Sequence, residues 1–568
     1  MSSRKHSDPV TLEVVRYGTV AAADDMAAVL CKTAYNMMIY EVHDFCCGII
    51  DTQGRMISQN RGGLPIFLAD LGVAIRDGIE KYGLDGFSPN DVLLMNHAGV
   101  CGQHLNNVAV YTPCFHRGRL VAFAANRAHW VDVGGSRVGF GSSQTTDIFQ
   151  EGLQFRSIKL HAAGVANEAV LQIIRDNVRF PDSVLGDLRA QIACCRLGEK
   201  RVAELADRYS WDTVTGCIEE IWDQAEAQTR AMVSRIPDGR YSAESCLDND
   251  GRELDKPLRV KVTVEVRGSD MIMDFSEMNP QVAGPLNSGY SGGLAAARIA
   301  YKCLTLPEAP VNEGSFRALQ LVLPEGTFLS ARSPAAIGQW SVALPTVVDT
   351  TLKALASAIP ERIPAAHKGD MGGYSIYGQD ARGRRFMLLN MTSGGWGGHA
   401  DGDGQDASVS ICQGDVRNIP IEVQEAMYPV RIEHFKLRTD SGGAGKYRGG
   451  LGIDIRISCL VPCRVNVNLD RTKCPPWGLE GGLDGETNLG LIRRAGGSEE
   501  IIYKGTNVPL APGDSVTFRT AGGGGYGDPR QRERTQVAAD MQEGLISEAA
   551  ARGIYGAAVG PAGSVGPR

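Results

Sequence analysis

Apolar residues recur at helical spacing in the opening stretch. Ser7 and Asp8 are cap candidates ahead of Pro9, and Val10, Val14, Met26, Val29 and Leu30 supply one apolar face. This predicts a helix running towards Tyr35 with a break near Gly18. From 44 to 158 the pattern changes to short apolar runs, such as 92–95 and 121–124, separated by Gly, Asn and Asp, which reads as sheet with polar loops. Asp182 and Ser183 precede Val184, Leu185, Leu188 and Ile192 at helical spacing, and Val214, Ile218, Ile221 and Trp222 mark a further helix expected to pair with it. Beyond Pro237-Asp238-Gly239, Leu258, Val260, Val262 and Val264 alternate with Arg259, Lys261, Thr263 and Glu265. That is a half-buried strand, joined through 267–270 to a second run at 271–275 as a hairpin. The segment 430–519 offers five or six more strand candidates, and 535–555 returns to helical spacing.

The expected architecture is mixed α/β (α+β). A helical N-terminus and metal-site sheet region span 1–180, a helical pair 181–238, and a β-hairpin and α/β region 239–345. A β-rich region with glycine turns spans 346–530, and a helix and tail 531–568. No Pro- or Ser-rich linker and no fixed repeat marks the boundaries. With 568 residues, 43% hydrophobic and 22% charged, the chain has material for several cores and excludes disordered and fibrous classes. Its formal charge of −7 provides no footprint for nucleic acid. The N-terminus carries charge without a following apolar run, and no stretch of about 18 apolar residues occurs, so no membrane span is expected and the reading is cytoplasmic. Its 14 cysteines form no CxxC pair and read mostly as buried thiols.

Glycine changes the picture: 69 are present, against about 40 at average usage. They cluster at 394–398, 441–445, 449–452 and 522–527, implying tight turns or close backbone approaches. None supplies a phosphate loop. GxxxxGK[ST] is absent, and Gly522-x-Gly524-x-x-Gly527 runs into Asp528-Pro529 where a helix should begin, which favours a structural role.

Metal-ligand types concentrate between Asp44 and Glu151: Asp44, His97, His104, His129, Asp132, Asp147 and Glu151. His129-x-x-Asp132 sets imidazole near carboxylate, a mixed N/O pairing suited to Mn, Fe or Zn; the alternative is that His129 bonds Asp132 and caps a turn. The Gly289-x-Ser291-x-Gly293 match lacks the strand of a nucleophile elbow and reads as a turn. Cys46, Cys47 and Cys101 read as inert buried thiols.

The chain resembles the hydantoinase B family, the B-type subunits of ATP-dependent hydantoinases, 5-oxoprolinases and caprolactamases, with acetone and acetophenone carboxylase subunits as relatives. The marks are Asp44-Phe45-Cys46-Cys47-Gly48, Ala124-Ala125-Asn126-Arg127-Ala128-His129, Ile148-Phe149-Gln150-Glu151-Gly152, Gly284-Pro285-Leu286-Asn287 and Asn312-Glu313-Gly314, with the glycine clusters from Asp440 and Gly522. The resemblance implies that an A-type ATPase subunit binds ATP-Mg and phosphorylates the substrate. The B-type chain would complete the reaction around a divalent metal (Zn, Mn or Fe). It implies Asp44, His104, His129 and Asp132 as metal residues and a homodimer within a hetero-oligomer, while Glu151 is the candidate catalytic residue, as a general base or as a carboxylate that orients the metal residues, or, alternatively, a helix-start carboxylate.

The sequence also departs from the family. Members typically read Gly-Gly-Thr-His-Leu-Pro-Asp where this chain has Gly102-Gln103-His104-Leu105-Asn106-Asn107, and often carry His where Phe67 and Trp130 stand. These changes remove an acid and imidazoles, so a distinct substrate pocket is expected. The leading function is hydrolysis of a cyclic amide (hydantoin, 5-oxoproline or lactam). The alternatives are a subunit of an ATP-dependent ketone carboxylase and a non-catalytic scaffold.

Overall fold

Asp8 accepts the Thr11 N–H at 2.9 Å and so starts helix α1 (Pro9–Thr33), the side-chain cap expected ahead of a proline. These coordinates are a computed structural model that describes residues 7–67, 70–139 and 142–557, so the charged N-terminal stretch and the end of the tail lie outside the described residues. Helix α1 passes through Gly18 without the expected break. Gly18 is a packing site: a Cβ there would lie 3.0 Å from Leu205, in the later helix Pro181–Tyr209.

After the short helix α2 (Met37–Tyr40) come β1 (Phe45–Asp51), β2 (Met56–Gln59), β3 (Val92–Met95), β4 (Asn107–His116), β5 (Arg119–His129), β6 (Ile158–Ala162) and β7 (Val165–Ala166). They form one antiparallel sheet in the order β2-β1-β5-β4-β3-β6-β7. Alternate side chains enter opposite layers. Cys46, Ile50, Leu93, Tyr111 and Phe123 belong to one core, and Cys47, Ile49, Leu94, Val110 and Ala124 to the other. Helix α3 (Asp70–Tyr82) covers the first face, and α4 (Ala98–Cys101) lies beside it. The expectation of sheet and loops misses α3, although Leu71, Ala74, Ile75 and Ile79 recur at helical spacing. After α5 (Glu168–Asn177), helix α6 (Pro181–Tyr209) packs with α1 on the second face and pairs with α7 (Trp211–Val233) as expected.

A second sheet holds β8 (Gly239–Leu247), β9 (Leu258–Arg267), β10 (Asp270–Asp274) and β11 (Leu319–Val322) in the order β11-β10-β9-β8. The expected hairpin is β9–β10, with Asp270 opposite Arg267. Helices α8 (Tyr290–Leu304) and α9 (Trp340–Ala354) pack together beside this sheet, and α9 runs across the 345/346 boundary. The Gly289-x-Ser291-x-Gly293 stretch is the start of α8, not a plain turn. Glycine is required at this point, because the Gly289 N–H donates to the Gly102 carbonyl at 3.0 Å and a Cβ on Gly102 would sit 2.7 Å from the Gly289 Cα.

The C-terminal half contains β12 (Gly373–Gln379), β13 (Arg385–Met391), helix α10 (Ile421–Met427), β14 (Val430–Leu437), β15 (Ile453–Cys459) and β16 (Cys463–Asn468). It continues with β17 (Leu489–Arg493), β18 (Glu499–Ile501), β19 (Lys504–Leu510) and β20 (Ser515–Arg519), ordered in two sheets as β13-β12-β16-β19 and β14-β15-β20-β17-β18. The stacked rings of Tyr374 and Phe518, 4.7 Å apart, bridge them. Helices α11 (Arg534–Gln542) and α12 (Glu548–Gly553) account for the terminal helical spacing.

The glycine clusters meet as backbones. Gly450 N–H donates to the Trp396 carbonyl at 2.8 Å, Gly523 N–H to Gly450 at 2.9 Å and Gly524 N–H to Ala366 at 2.8 Å. A Cβ on Gly395 would lie 1.8 Å from the Gly450 oxygen, so close approach, not turn geometry, demands glycine there. Cys246 and Cys474 form a disulfide, an exception to the expectation of buried thiols; most of the other cysteines are free and buried. Among the described residues no helix is long and apolar enough to cross a membrane.

Candidate functional site

The end of β5 and the turn leading into β4 build the centre of the site. His129 pairs with Asn107 in the β4–β5 register. The next rung is closed from both sides, with Trp130 N–H donating to the Asn106 carbonyl at 2.8 Å and the Asn106 amide donating to the Trp130 carbonyl at 2.9 Å. This places His104 edge-on to His129, with ring centroids 5.1 Å apart. Asp44, just before β1, accepts the His129 N–H on its backbone carbonyl at 3.2 Å. Thus three residues far apart in sequence come together, His104 and His129 through their rings and Asp44 through the backbone.

Burial controls their charge. It lowers His129 to about 4 and, together with the repulsion that two protonated rings would feel, holds His104 well below the usual histidine range. Both imidazoles are neutral at pH 7. Burial pushes the Asp44 carboxyl up to about 7. Of the cysteine candidates, Cys47 sits 3.6 Å from the Cys194 sulfur, and burial pushes its thiol well up.

Asp132 is engaged elsewhere. One carboxylate oxygen accepts the Gly134 N–H at 3.3 Å and the Arg179 Nη1 at 3.0 Å, and the other accepts the Arg179 backbone N–H at 2.5 Å. Arg179 also donates to the carbonyls of Gly134 and Gly135, which fixes the 132–135 turn. The four residues expected to hold a metal are therefore not gathered as one ligand set. Among the described residues no three His, Cys, Asp or Glu side chains form a metal-holding group. Of the other candidates, Asp147 caps the 3₁₀ turn Ile148–Gln150, and His97 lies at the start of α4.

Glu151 follows that turn, at its C-terminal side instead of at a helix start. Its Oε1 accepts the Thr145 hydroxyl and the Gly338 N–H, each at 2.9 Å, and its Oε2 accepts the Ile337 N–H at 3.2 Å. Burial raises the carboxyl to about 7 against the opposing pull of these donors. His104, Asn106, Thr145, Glu151 and Gly338 line one narrow cleft. The sequence reading misses Thr145, Arg179, Gly338 and Trp340. The Trp340 indole N–H donates to His104 Nδ1 at 3.0 Å across 236 positions, a contact without a local sequence signal.

The family model for hydantoinase B/oxoprolinase matches residues 8–529. The chain is 32% identical over 572 residues to the B-type component of a putative D-/L-hydantoinase from Pseudomonas sp. strain NS671, covering 98% of this chain and 96% of that protein. It matches the structure of the ATP-dependent caprolactamase from Pseudomonas jessenii with a TM-score of 0.93 and 31% identity, covering 99% and 98% of the two chains. A nucleotide-free acetone carboxylase structure matches with a TM-score of 0.89 at 18% identity over 98% and 81%, a likeness of fold alone. Because the family match runs from the first turn of α1 to the last glycine cluster, the chain belongs to the hydantoinase B/oxoprolinase family.

Proposed function

We propose that this chain is the B-type subunit of an ATP-dependent amidohydrolase that opens a cyclic amide, a hydantoin, 5-oxoproline or lactam. An A-type ATPase subunit would first phosphorylate the amide oxygen, within a cytoplasmic hetero-oligomer containing a homodimer of this chain. The observation that carries the reading is the end-to-end match, in sequence and in structure, to proteins named for hydantoinase and ATP-dependent caprolactamase activity. The missing phosphate loop supports leaving ATP to a partner.

An amide carbon is a poor electrophile, and phosphorylation of its oxygen gives an activated imidate. Water adds to that carbon, the C–N bond breaks as nitrogen takes up a proton, and a second water hydrolyses the resulting acyl phosphate to carboxylate and phosphate. Glu151 is suited to removing the proton from the attacking water. Thr145, Gly338 and Ile337 occupy three of the roughly four lone-pair sites of the carboxylate, which leaves one on Oε2. A carboxyl raised to about 7 also accepts a proton more readily than an ordinary glutamate.

The proposed metal set does not fit these side chains. Both Asp132 oxygens are bonded to Arg179, and His104 Nδ1 is occupied by the Trp340 indole. No step is therefore assigned to a divalent ion.

The test combines the chain with its A-type partner, ATP-Mg and each cyclic amide in the presence of labelled bicarbonate. Ring-opened, unlabelled product formed with ADP is expected. Label in the product would establish the ketone carboxylase alternative, and an assembled complex that turns over no amide would overturn the hydrolase reading in favour of a scaffold.

A further inference from the structure

We propose that His104 is a positioning residue and not a metal ligand: the Trp340 indole fixes its proton on Nε2, and the ring ties the turn ahead of β4 to the 337–340 segment that carries the N–H donors of Glu151. The inference uses the proposed function only for the role of Glu151.

Tryptophan has one polar hydrogen and no acceptor. With its Nε1 at 3.0 Å from His104 Nδ1, that ring nitrogen must supply a lone pair. A neutral imidazole has one lone pair and one N–H, so the hydrogen lies on Nε2. A metal-bound histidine needs the opposite arrangement, a lone pair for the ion and an N–H directed at a carbonyl or carboxylate. Here the lone pair is committed to an indole.

The neighbours of the ring match an N–H donor. The Asn107 side chain and the Gly338 backbone lie near the ring and favour a proton on it. Asn107 donates its amide to Gln103 Oε1 at 3.0 Å, so its carbonyl oxygen is the end left to accept from an N–H. Gly338 and Ile337 in turn donate to Glu151 at 2.9 and 3.2 Å, while Gln339 in the same segment donates to Asn468. His104 and Trp340 thus anchor the segment on one side and Asn468 anchors it on the other. The carboxylate of Glu151 is held by the N–H groups between them. With its hydrogen on Nε2, His104 contributes to that framework as a donor and supplies no site for a cation.

The test uses the full chain labelled with ¹⁵N-histidine. Two-bond proton–nitrogen spectra at pH 7 are recorded for the wild type, for His104→Asn to assign the signal, and for Trp340→Phe to release Nδ1. The expected wild-type pattern is neutral Nε2–H, moving towards mixed tautomers in Trp340→Phe. In parallel, Zn²⁺ or Mn²⁺ is added and removed by gel filtration, and elemental mass spectrometry is expected to find no stoichiometric metal that depends on His104. A neutral Nδ1–H pattern, or stoichiometric metal lost in His104→Asn, would overturn the proposal. If Trp340→Phe does not fold, the wild-type and His104→Asn spectra still decide. Neither measurement uses substrate, ATP or partner, so failure of the amide assay and failure of this inference are distinguishable.

Discussion

Arg179 holds Asp132 from two directions, its backbone N–H reaching Oδ2 at 2.5 Å and its guanidinium reaching Oδ1 at 3.0 Å. The carboxylate is fully buried while Arg179 is partly exposed, so the two partners differ in what they lose when separated. Arg179→Met would leave a buried charge without its cation, and the expected cost is about 3 kcal/mol. Asp132→Asn should cost less, because the released guanidinium can reach water. Urea unfolding of both variants checks this, and equal midpoints would contradict it.

Glu151 makes stability depend on pH in a stated direction. Its folded-state carboxyl is raised from 4.5 to about 7, so the folded chain keeps a proton that the unfolded chain has released. Its contribution is fully present below pH 4.5 and is lost as pH rises through about 7. Asp44 and Asp187, also raised to about 7, act in the same direction, whereas His129, lowered to about 4, opposes them between about 4 and 6.5. The difference between wild type and Glu151→Gln isolates this residue, and the wild-type advantage should shrink from pH 4.5 to 7.5. In the assembled enzyme, turnover should rise as pH passes about 7. Glu151→Gln should lower kcat roughly 10²- to 10⁴-fold, the range of a lost general base.

The glycine-rich segments and an exposed helical glycine should respond oppositely to the same substitution. A Cβ on Gly523 would lie 1.9 Å from the Trp396 oxygen, backbone against backbone, whereas Gly216 within α7 has nothing within 4 Å. Gly523→Ala should destabilise by roughly 3 kcal/mol or more. Gly216→Ala should stabilise by about 0.5–1 kcal/mol, through the lost backbone freedom of the unfolded chain. Thermal unfolding of the two variants measures both.

The Cys246–Cys474 disulfide closes a loop of 228 positions. A non-reducing peptide map should recover the two cysteines in one linked product. Reduction should lower stability by up to about 5 kcal/mol in the chain-entropy account. Recovery of both as free thiols would contradict the pairing.

Periodicity determined much of the local structure: the Asp8-capped opening helix, the α6–α7 pair and the β9–β10 hairpin follow from apolar spacing and turn residues. It misses α3 because 13 residues of amphipathic helix lie within a long run of strand-like text. Gly18 suggests a break because glycine disfavours helix locally, yet contact with Leu205 uses its lack of a side chain.

The family motifs drew attention to His104, His129, Asp132 and Glu151, but their chemical states are tertiary facts. Local sequence places Asp132 three residues after His129, and only the fold delivers Arg179 to its carboxylate. Local sequence places His104 beside Asn107, and only the packing of α9 brings Trp340 to its Nδ1. Hydrophobic period and turn chemistry act over a few residues and are therefore written in the chain. The proton position of a buried imidazole and the partner of a buried carboxylate depend on desolvation and on donors contributed from distant segments, and those exist only once the layers have packed.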